Sequence, residues 1–450
     1  MRICVIPIDN RPVCYSLPKD IAAVDNDIEL LLPPREFLGG LIKPAQIDNL
    51  FEWLEKQPEC DAIILSLDTL AYGGLIPSRR STETFEEIKL RIYKLKEILK
   101  RKNSKIYAFS SVMRISNNNY NEEEKEYWSE YGKKIFEYSF NYHKYGNADS
   151  SKIPSEILED YLNTRKRNFE INKIYLDWQK EGFFETLIFS KDDCAEYGLN
   201  VKEAQELESL GGFVKTGADE IPLTLIARSI KKDIKVFVEY TEPDCKNLIS
   251  NYEDISIEDS VNGQLELSGF VQVADSNVAD IVLLVNNFRD KQGELVMGWE
   301  TQPYNGNLHI QSKPYAVADV RFANGADNAF VEKLLPNLNN NFLGYAGWNT
   351  SANTLGSLLA EVKVVFGANR YNENAFKNLQ MIRFLDDWAY QANVRGQINT
   401  PCDIGELMKP YAEKLSKAFD YALDCANIKY IYPWNRKFET EIKLPEMHNK

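Results

Sequence analysis

The sequence predicts an α/β protein of parallel strands, arranged as a (β/α)8-like barrel or a related parallel-strand fold with a helical C-terminal appendage. Short apolar runs, typical of strands buried on both faces, alternate with helical segments up to about residue 350. The number of runs fits a barrel, which typically spans about 250 residues and grows with insertions. A doubly wound α/β fold in two lobes is the alternative.

The first part of the chain contains four predicted strands followed by a helical insertion. The strands and their helices are expected at residues 2–8, 28–32, about 44–56, 62–67, about 84–102 and 105–113. Residues 117–182 are rich in Asn, Tyr, Glu and Lys and predict two helices, at about 121–141 and 155–181. This insertion forms either an ordinary crossover or a cover over one side of a site.

Two central apolar runs each end in two adjacent carboxylates, Asp192 with Asp193 and Asp219 with Glu220. Because parallel α/β folds carry their sites at the carboxyl ends of strands, we expect these four acids to gather at one mouth. Asn200 is expected to cap the next helix in a capping box, so that Asp192 and Asp193 are not needed as caps. Asp219 precedes a helix start, where capping is the structural alternative.

The alternation of strands and helices continues towards residue 350 and then changes. Further strands and helices are expected at 235–240, 280–285, 316–319, 328–335, 342–347, 375–394 and 404–426. We therefore predict a parallel α/β domain over residues 1–365 and a helical C-terminal region over residues 366–450. The latter is expected to end in a short strand.

Other polar residues stand at predicted strand ends or in the loops that follow them. For the residues after the first strand, a turn closed by Pro12 is the structural alternative. Trp348 could stack on a sugar ring, or could be a core residue beside a helix cap. The candidate substrate-binding residues are Asp9, Asn10, Arg11, Asp68, Arg114, Tyr240, Asn287, Trp348 and Asn349.

Composition argues against several classes of protein. The net charge of −14 disfavours nucleic acid or an anionic membrane as the main partner. The three histidines do not stand at clear strand ends, which disfavours a Ser-His-Asp triad or a His-rich metal site. The seven scattered cysteines predict reduced thiols. The sequence contains neither the Gly-x-x-x-x-Gly-Lys-Ser/Thr motif nor a Gly-x-Gly-x-x-Gly motif after a strand, and nucleotide binding therefore has no support.

The same features set expectations for location and cofactors. The N-terminus enters a strand pattern directly and lacks a signal-peptide layout, so we expect a cytoplasmic protein. No apolar run approaches the ~20 residues that span a bilayer. We expect no cofactor, with Mg²⁺ or Ca²⁺ reserved for an alternative function, and a small carbohydrate as the partner.

Several sequence blocks resemble a bacterial family known as domain of unknown function 4127. These blocks are Ile8–Val13, Ser66–Leu75, Ser190–Asp193 with Tyr197 and Gly198, Thr216–Glu220, and Tyr345–Gly356. The resemblance extends from the first strand to the Trp-Asn-Arg near residue 435, which is nearly the whole chain. It implies membership of the family and does not specify an activity.

The two acid pairs are also similar to the Asp-Asp and Asp-Glu pairs of substrate-assisted N-acetylhexosaminidases. On that pattern, Asp192 or Asp219 would polarise the acetamido group of the substrate. Asp193 or Glu220 would be the general acid/base. A pair across neighbouring strands, Asp193 with Glu220, is an alternative, because adjacent strands lie ~4.8 Å apart and suit the carboxyl spacing of glycosidases.

The sequence therefore predicts a glycosidase-like hydrolase acting on a small sugar or amino sugar through paired carboxylates. One alternative is a Mg²⁺- or Ca²⁺-dependent hydrolase or lyase, because carboxylate oxygens are the ligands these ions prefer. It would use Asp9, Asp68, Asp192, Asp193, Asp219 and Glu220. A non-enzymatic carbohydrate-binding protein is the other alternative.

Overall fold

The structure is a computed structural model that describes residues 1–192, 194–309, 312–398 and 404–445. The chain divides into two units that each draw on separate stretches of sequence. The first unit comprises residues 1–10, 29–225 and 252–254, and the second comprises residues 11–28, 226–251 and 255–450. These units are divided differently from the predicted ranges 1–365 and 366–450, which remain a prediction of domain organisation.

The first unit is built on a sheet of six parallel strands. They are β1 (Arg2–Ile6), β2 (Glu29–Leu31), β3 (Ala62–Ser66), β4 (Lys105–Val112), β5 (Thr186–Lys191) and β6 (Val214–Thr216). Their order across the sheet is β2-β1-β3-β4-β5-β6. The chain thus reverses direction across the sheet between β1 and β3, and ligands of open α/β sheets bind beyond the carboxyl ends of strands at such a point.

The helices of the first unit include the two long helices predicted for the insertion. Its helices are Ile47–Lys56, Leu67–Tyr72, Leu75–Arg80, Phe85–Lys100, Trp128–Tyr145, Ser155–Lys180 and Leu199–Ser209, and Ile221–Ser229 continues into the second unit. The helix Phe85–Lys100 begins with a complete capping box, in which Thr84 and Glu87 bond each other's backbone N–H groups. The insertion helices bury a small core that includes Trp128, Ile135 and Tyr161.

The second unit is built on a sheet of five parallel strands. Its strands are β7 (Lys235–Tyr240), β8 (Val271–Gln272), β9 (Ile281–Asn286), β10 (Gly293–Glu294), β11 (Tyr315–Asp319), β12 (Phe322–Ala323), β13 (Phe342–Ala346), β14 (Lys429–Ile431) and β15 (Glu441–Lys443). The main sheet has the order β13-β11-β9-β7-β8, while β10 pairs with β12, and β14 with β15. Here the reversal lies between β7 and β9.

Helices of the second unit pack on this sheet and on one another. They are Pro12–Ala22, Ile257–Leu267, Asn328–Leu334, Ser351–Gly367, Glu373–Arg383 and Gly405–Ala418, with a π-helix at Phe384–Val394. One apolar core joins Phe330, Tyr345, Phe384 and Trp388, and the Tyr345 and Phe384 rings stack with centroids 4.3 Å apart. The pairing of β14 with β15 supplies the short terminal strand expected from the sequence.

The predicted α/β class with parallel strands is confirmed, whereas the barrel is not. Within the described ranges, no hydrogen-bonded pairing closes either sheet on itself. Each apolar run predicted to be a strand coincides with an observed strand. Strands that are buried on both faces consist of continuous apolar residues, which makes them recognisable in a sequence. Among the helices that the structure describes, none combines the length and apolar character needed to cross a membrane.

The expected cap at Asn200 is wrong. The helix begins at Leu199 with Gly198 as its N-cap residue, and Asn200 is buried inside the first turn. Glu203, its supposed capping-box partner, instead pairs with Arg165, whose Nη2 lies 2.6 Å from Glu203 Oε2. Pro12 is the first residue of the helix Pro12–Ala22, a position that proline favours, and the turn at the residues before it stays a prediction.

Candidate functional site

Most of the predicted acids lie at the carboxyl edge of the first sheet. Asp9 follows β1, Asp68 follows β3, Asp192 follows β5, and Asp219 with Glu220 follows β6. Because all six strands are parallel, these strand ends share one edge. The sequence therefore places its acids on the edge where ligands of such sheets bind.

Asp68 is a buried carboxyl group at this edge with a raised pKa. It lies in the first turn of the helix Leu67–Tyr72 and is only 3% exposed. Ser66 caps that helix by accepting from the Thr69 N–H, so Asp68 has no capping task. Its Oδ2 accepts a hydrogen bond of 2.8 Å from the Ser111 N–H on β4. Burial nevertheless raises the pKa of Asp68 to about 7.

Arg114 joins Asp192 to two acids from the start of the insertion. Its Nη1 lies 3.3 Å from Asp192 Oδ2, and its Nη2 donates to Glu123 Oε2 at 2.8 Å. Arg79, whose side chain is 1% exposed, lies 3.6 Å from Glu123 and 3.5 Å from Glu124. We call these five residues the arginine–acid cluster. It fixes Asp192 at the strand end while leaving the side chain of Asp192 20% exposed.

Two serine hydroxyls lie between Asp68 and Asp192 in the order of the strands. Ser111 on β4 and Ser190 on β5 are opposite each other in the sheet register, and their Oγ atoms are 3.1 Å apart. Both are buried. Across the carboxyl ends of β3, β4 and β5, the groups therefore follow in the order buried carboxyl, two hydroxyls and ion-paired carboxylate.

The structure describes only some of the acids that follow β5 and β6. Asp193 lies outside the described residues. Glu220 is fully buried, and its Oε2 accepts a 3.0 Å hydrogen bond from the Ala218 N–H. Its carboxylate packs against Gly217, where φ is +126° and a Cβ would overlap the carboxylate. β5 and β6 are neighbours, which confirms the strand adjacency behind the proposed Asp193–Glu220 pair, and the pair itself stays a prediction.

The residues after β1 are divided between the units. Asp9 and Asn10 belong to the first unit, and Arg11 belongs to the second. The carbonyl oxygen of Asn10 accepts from Arg35 Nε at 2.9 Å. Arg11 lies 3.4 Å from Glu439 and over the ring of Trp434. Arg11 is therefore occupied by contacts within its own unit.

The remaining predicted residues lie at the carboxyl edge of the second sheet. The Tyr240 hydroxyl is buried and has no hydrogen-bond partner among the residues described. Asn287 bonds the backbone of Glu242 in both directions, accepting from its N–H and donating to its carbonyl, at 2.9 Å each. Asn349 accepts from Thr350 N and Asn353 Nδ2 and so organises a helix start. Asn287 and Asn349 thus make structural contacts here.

A buried network at the same edge was not anticipated from the sequence. Arg321 lies 3.2 Å from Glu242 and 3.5 Å from Asp327. Asp319 accepts from Asn286 Nδ2 at 2.8 Å and from the Asp327 N–H at 2.8 Å. Burial raises the pKa of Asp319 to about 7. These groups satisfy one another, so they stabilise the strand ends of the second unit.

Metal ligation was tested on the same geometry. Within the ranges that the structure describes, no group of three or more His, Cys, Asp or Glu side chains is arranged to hold a metal ion. The metal-dependent alternative includes Asp193, which is not among those residues, and it therefore stays a prediction.

Comparison with known proteins places the chain in a family. A family model described as Protein of unknown function (DUF4127) matches residues 3–443. The chain belongs to this family. The match covers both sheets and confirms the resemblance noted from the sequence blocks. No curated protein and no solved structure matches the chain.

Sequence reasoning identified Asp68 and, within the arginine–acid cluster, Arg114 and Asp192, but it overlooked Arg79, Glu123 and Glu124. Glu123 and Glu124 belong to a run of three glutamates in the predicted insertion. Arg79 lies in the helix Leu75–Arg80. The available signal was an acidic run eight residues after the strand-end residue Arg114.

Proposed function

We propose that the protein is a glycosidase-like hydrolase acting on a small sugar or amino sugar, with Asp68 as the general acid and Asp192 as the second carboxylate. The observation that carries this proposal is the pairing, on one sheet edge, of a buried carboxyl whose pKa is about 7 with an ion-paired, partly exposed carboxylate. Glycoside hydrolysis needs one carboxyl that remains protonated and a second that remains charged.

The register supports a separation suited to this chemistry. Asp68 bonds the backbone of Ser111, and Ser111 is opposite Ser190, two residues before Asp192. One strand spacing across and two residues along give roughly 8 Å between the backbone of Ser111, which holds the Asp68 carboxyl, and the backbone of Asp192. Inverting glycosidases hold their carboxyls ~6.5–9.5 Å apart to admit a water, whereas retaining enzymes use ~5–5.5 Å. The separation of the Asp68 and Asp192 carboxyl groups would therefore distinguish inversion from retention at the anomeric carbon.

The other predicted residues enter the proposal in narrower roles. Glu220, fully buried against Gly217, is a positioning residue for the end of β6. Ser111, Ser190 and Arg114 offer hydroxyl and guanidinium groups to a sugar. Asp193 and Asp219 stay candidates for the second carboxylate. In this proposal each unit is a doubly wound α/β lobe, in keeping with the two strand orders.

The test is a panel of nitrophenyl and methyl glycosides, including N-acetylhexosaminides, with the wild type, Asp68→Asn, Asp192→Asn and the surface control Asp48→Asn. We expect hydrolysis of at least one glycoside, with losses on the order of 10²–10⁴-fold in kcat for Asp68→Asn. The loss should be larger for methyl than for nitrophenyl glycosides, because a poor leaving group needs the acid more. Asp48→Asn should keep full activity.

Two outcomes would overturn the proposal. One is absence of turnover across the panel, and the other is full activity of both Asp68→Asn and Asp192→Asn on methyl glycosides. Activity that is abolished by EDTA and restored by Mg²⁺ would instead favour the metal-dependent alternative.

A further inference from the structure

The second unit contains a small cavity away from the first sheet. Its volume is about 50 Å³, and its lining comes from the helix Pro12–Ala22, the loop after β13, the π-helix and the segment that leads into β15. A single water needs ~10–15 Å³ of such space, so the cavity has room for a small molecular group. π-Helical segments occur frequently at functional sites.

Five acids are among the residues that line this cavity. The acids among its lining residues are Asp20, Asp386, Asp387, Glu439 and Glu441. Arg383 also lines it, and Arg11 lies 3.4 Å from Glu439. Ser16, which also lines the cavity, donates from its Oγ to Glu441 Oε1 at 2.9 Å. Carboxylates in such surroundings cost free energy unless cations, hydrogen bonds or protons compensate them.

Two of these acids have raised pKa values, so that they hold their protons to higher pH than exposed carboxyl groups do. Burial and the nearby Glu441 raise the pKa of Asp20 to about 7. Burial raises the pKa of Asp387 to about 6, although Arg383 and the Gly347 N–H oppose that rise. A bound cation would replace these protons, because it supplies the same compensating charge.

Trp348 provides an independent observation at the same cavity. The residue is 6% exposed and lines the cavity, and its indole Nε1–H is buried with no hydrogen-bond partner in the described part of the chain. Its ring packs against Phe438 with centroids 5.9 Å apart, which fixes the indole. Buried polar groups in folded proteins are nearly always paired, so this donor lacks an acceptor that a ligand can supply.

We propose that this cavity binds a small primary amine that carries a neighbouring hydroxyl, with the ammonium held by the carboxylates and the hydroxyl oxygen accepting from Trp348. An ammonium group presents three N–H donors that can be shared among several carboxylates. The described side chains lack a cluster with the geometry of a metal site, which favours an organic ammonium over a metal ion here. This inference does not depend on the proposed hydrolase.

The test is calorimetric titration of the full chain at pH 7.5 with ethanolamine, ethylamine, ethylene glycol and MgCl₂. We expect saturable 1:1 binding of ethanolamine, weaker binding of ethylamine and none of ethylene glycol. Asp20→Asn and Asp386→Asn should each weaken ethanolamine binding at least tenfold. Asp27→Asn, which alters an exposed acid of the same unit, is the control and should bind as the wild type does.

The Trp348→Phe variant distinguishes recognition of the ligand's hydroxyl from recognition of its ammonium group. It should weaken ethanolamine binding and leave ethylamine binding unchanged, because only the hydroxyl needs the indole N–H. Circular dichroism of each variant checks that it is folded. Equal binding of ethylene glycol, failure of both amines to bind, saturable binding of Mg²⁺ in their place, or unchanged ethanolamine binding in folded Asp20→Asn and Asp386→Asn would each overturn the proposal.

Discussion

At the scale of single residues, Asp68 shows how burial and hydrogen bonding compete over one carboxyl group. The Ser111 N–H and Arg79 both favour the ionised form, yet burial outweighs them and the pKa of Asp68 rises to about 7. The same residue is thus prepared to donate a proton near neutral pH and is unfavourable for the stability of the fold. The proposed function and the stability of the fold therefore make opposite demands at this position.

This opposition predicts that Asp68→Asn stabilises the protein. The folded-state pKa of about 7 lies above the ~3.9 of an exposed aspartate, so the contribution of Asp68 to the free energy of unfolding is most favourable below pH ~4 and is lost as pH rises through ~4 to 7. Asparagine stays neutral and keeps an acceptor for the Ser111 N–H. Urea unfolding at pH 8 should therefore give a free energy roughly 2–4 kcal/mol above that of the wild type.

The pH dependence supplies the control for that measurement. The stability difference should shrink towards pH 4, where aspartate is neutral in the folded state and largely neutral in the unfolded one. Asp48→Asn, on an exposed helix surface, should show little difference at either pH. A lower stability of Asp68→Asn than of the wild type at pH 8 would contradict the raised pKa.

A site residue can be predicted from the sequence when local sequence alone determines its position in the fold. Asp68, Arg114 and Asp192 stand directly at strand ends, and a strand end is visible as the limit of an apolar run. Glu123 and Glu124 lie at the same edge only because the folded insertion brings them back to the sheet. Asp386 lies in the middle of a predicted helix, where no local signal distinguishes it from a surface acid.

At the scale of elements, helix ends illustrate where local patterns mislead. The motif from Asn200 to Glu203 has the composition of a capping box, but the helix starts one residue earlier and Glu203 turns to Arg165. The side chain of Arg165 is 2% exposed, and its Nη1 also donates to the Tyr161 hydroxyl at 3.1 Å. A buried tertiary ion pair has therefore displaced a local cap.

This pair predicts a specific loss of stability. Glu203→Ala would leave the guanidinium of Arg165 buried without its carboxylate partner, and removal of one partner from such a pair costs ~3–5 kcal/mol. Glu206→Ala on the same helix is the matched control and should change the free energy of unfolding by less than ~0.5 kcal/mol. Chemical denaturation measures both, and equal stabilities of the two variants would show that the ion pair has no such role.

At the scale of the whole molecule, the chain repeats one strand order in two separate sheets. In each, the first strand lies between the second and the third, with later strands added on the side of the third. Apolar runs reveal where strands occur, but they do not encode which strand becomes the neighbour of which. That choice depends on the side to which each crossover returns, and this explains why the strands were predicted while the barrel was not confirmed.

The repeated order also gives the candidate site its location. Asp9 and Asp68 follow β1 and β3, the two strands between which the first sheet reverses, and the arginine–acid cluster extends from there along β4 and β5. Chemistry at such an edge is general for open α/β sheets. The assignment of Asp68 as the proton donor is specific to this chain and is the central claim.

The measurement that tests this claim most directly is the pH dependence of kcat/KM for the wild type and Asp68→Asn on the methyl glycoside that the wild type hydrolyses best. We expect the wild-type value to fall as pH rises above about 7, where Asp68 loses its proton. Asp68→Asn should be slower by on the order of 10²–10⁴-fold and should lack that falling limb. Profiles of the same shape and height in both proteins would contradict the role of Asp68 as the general acid.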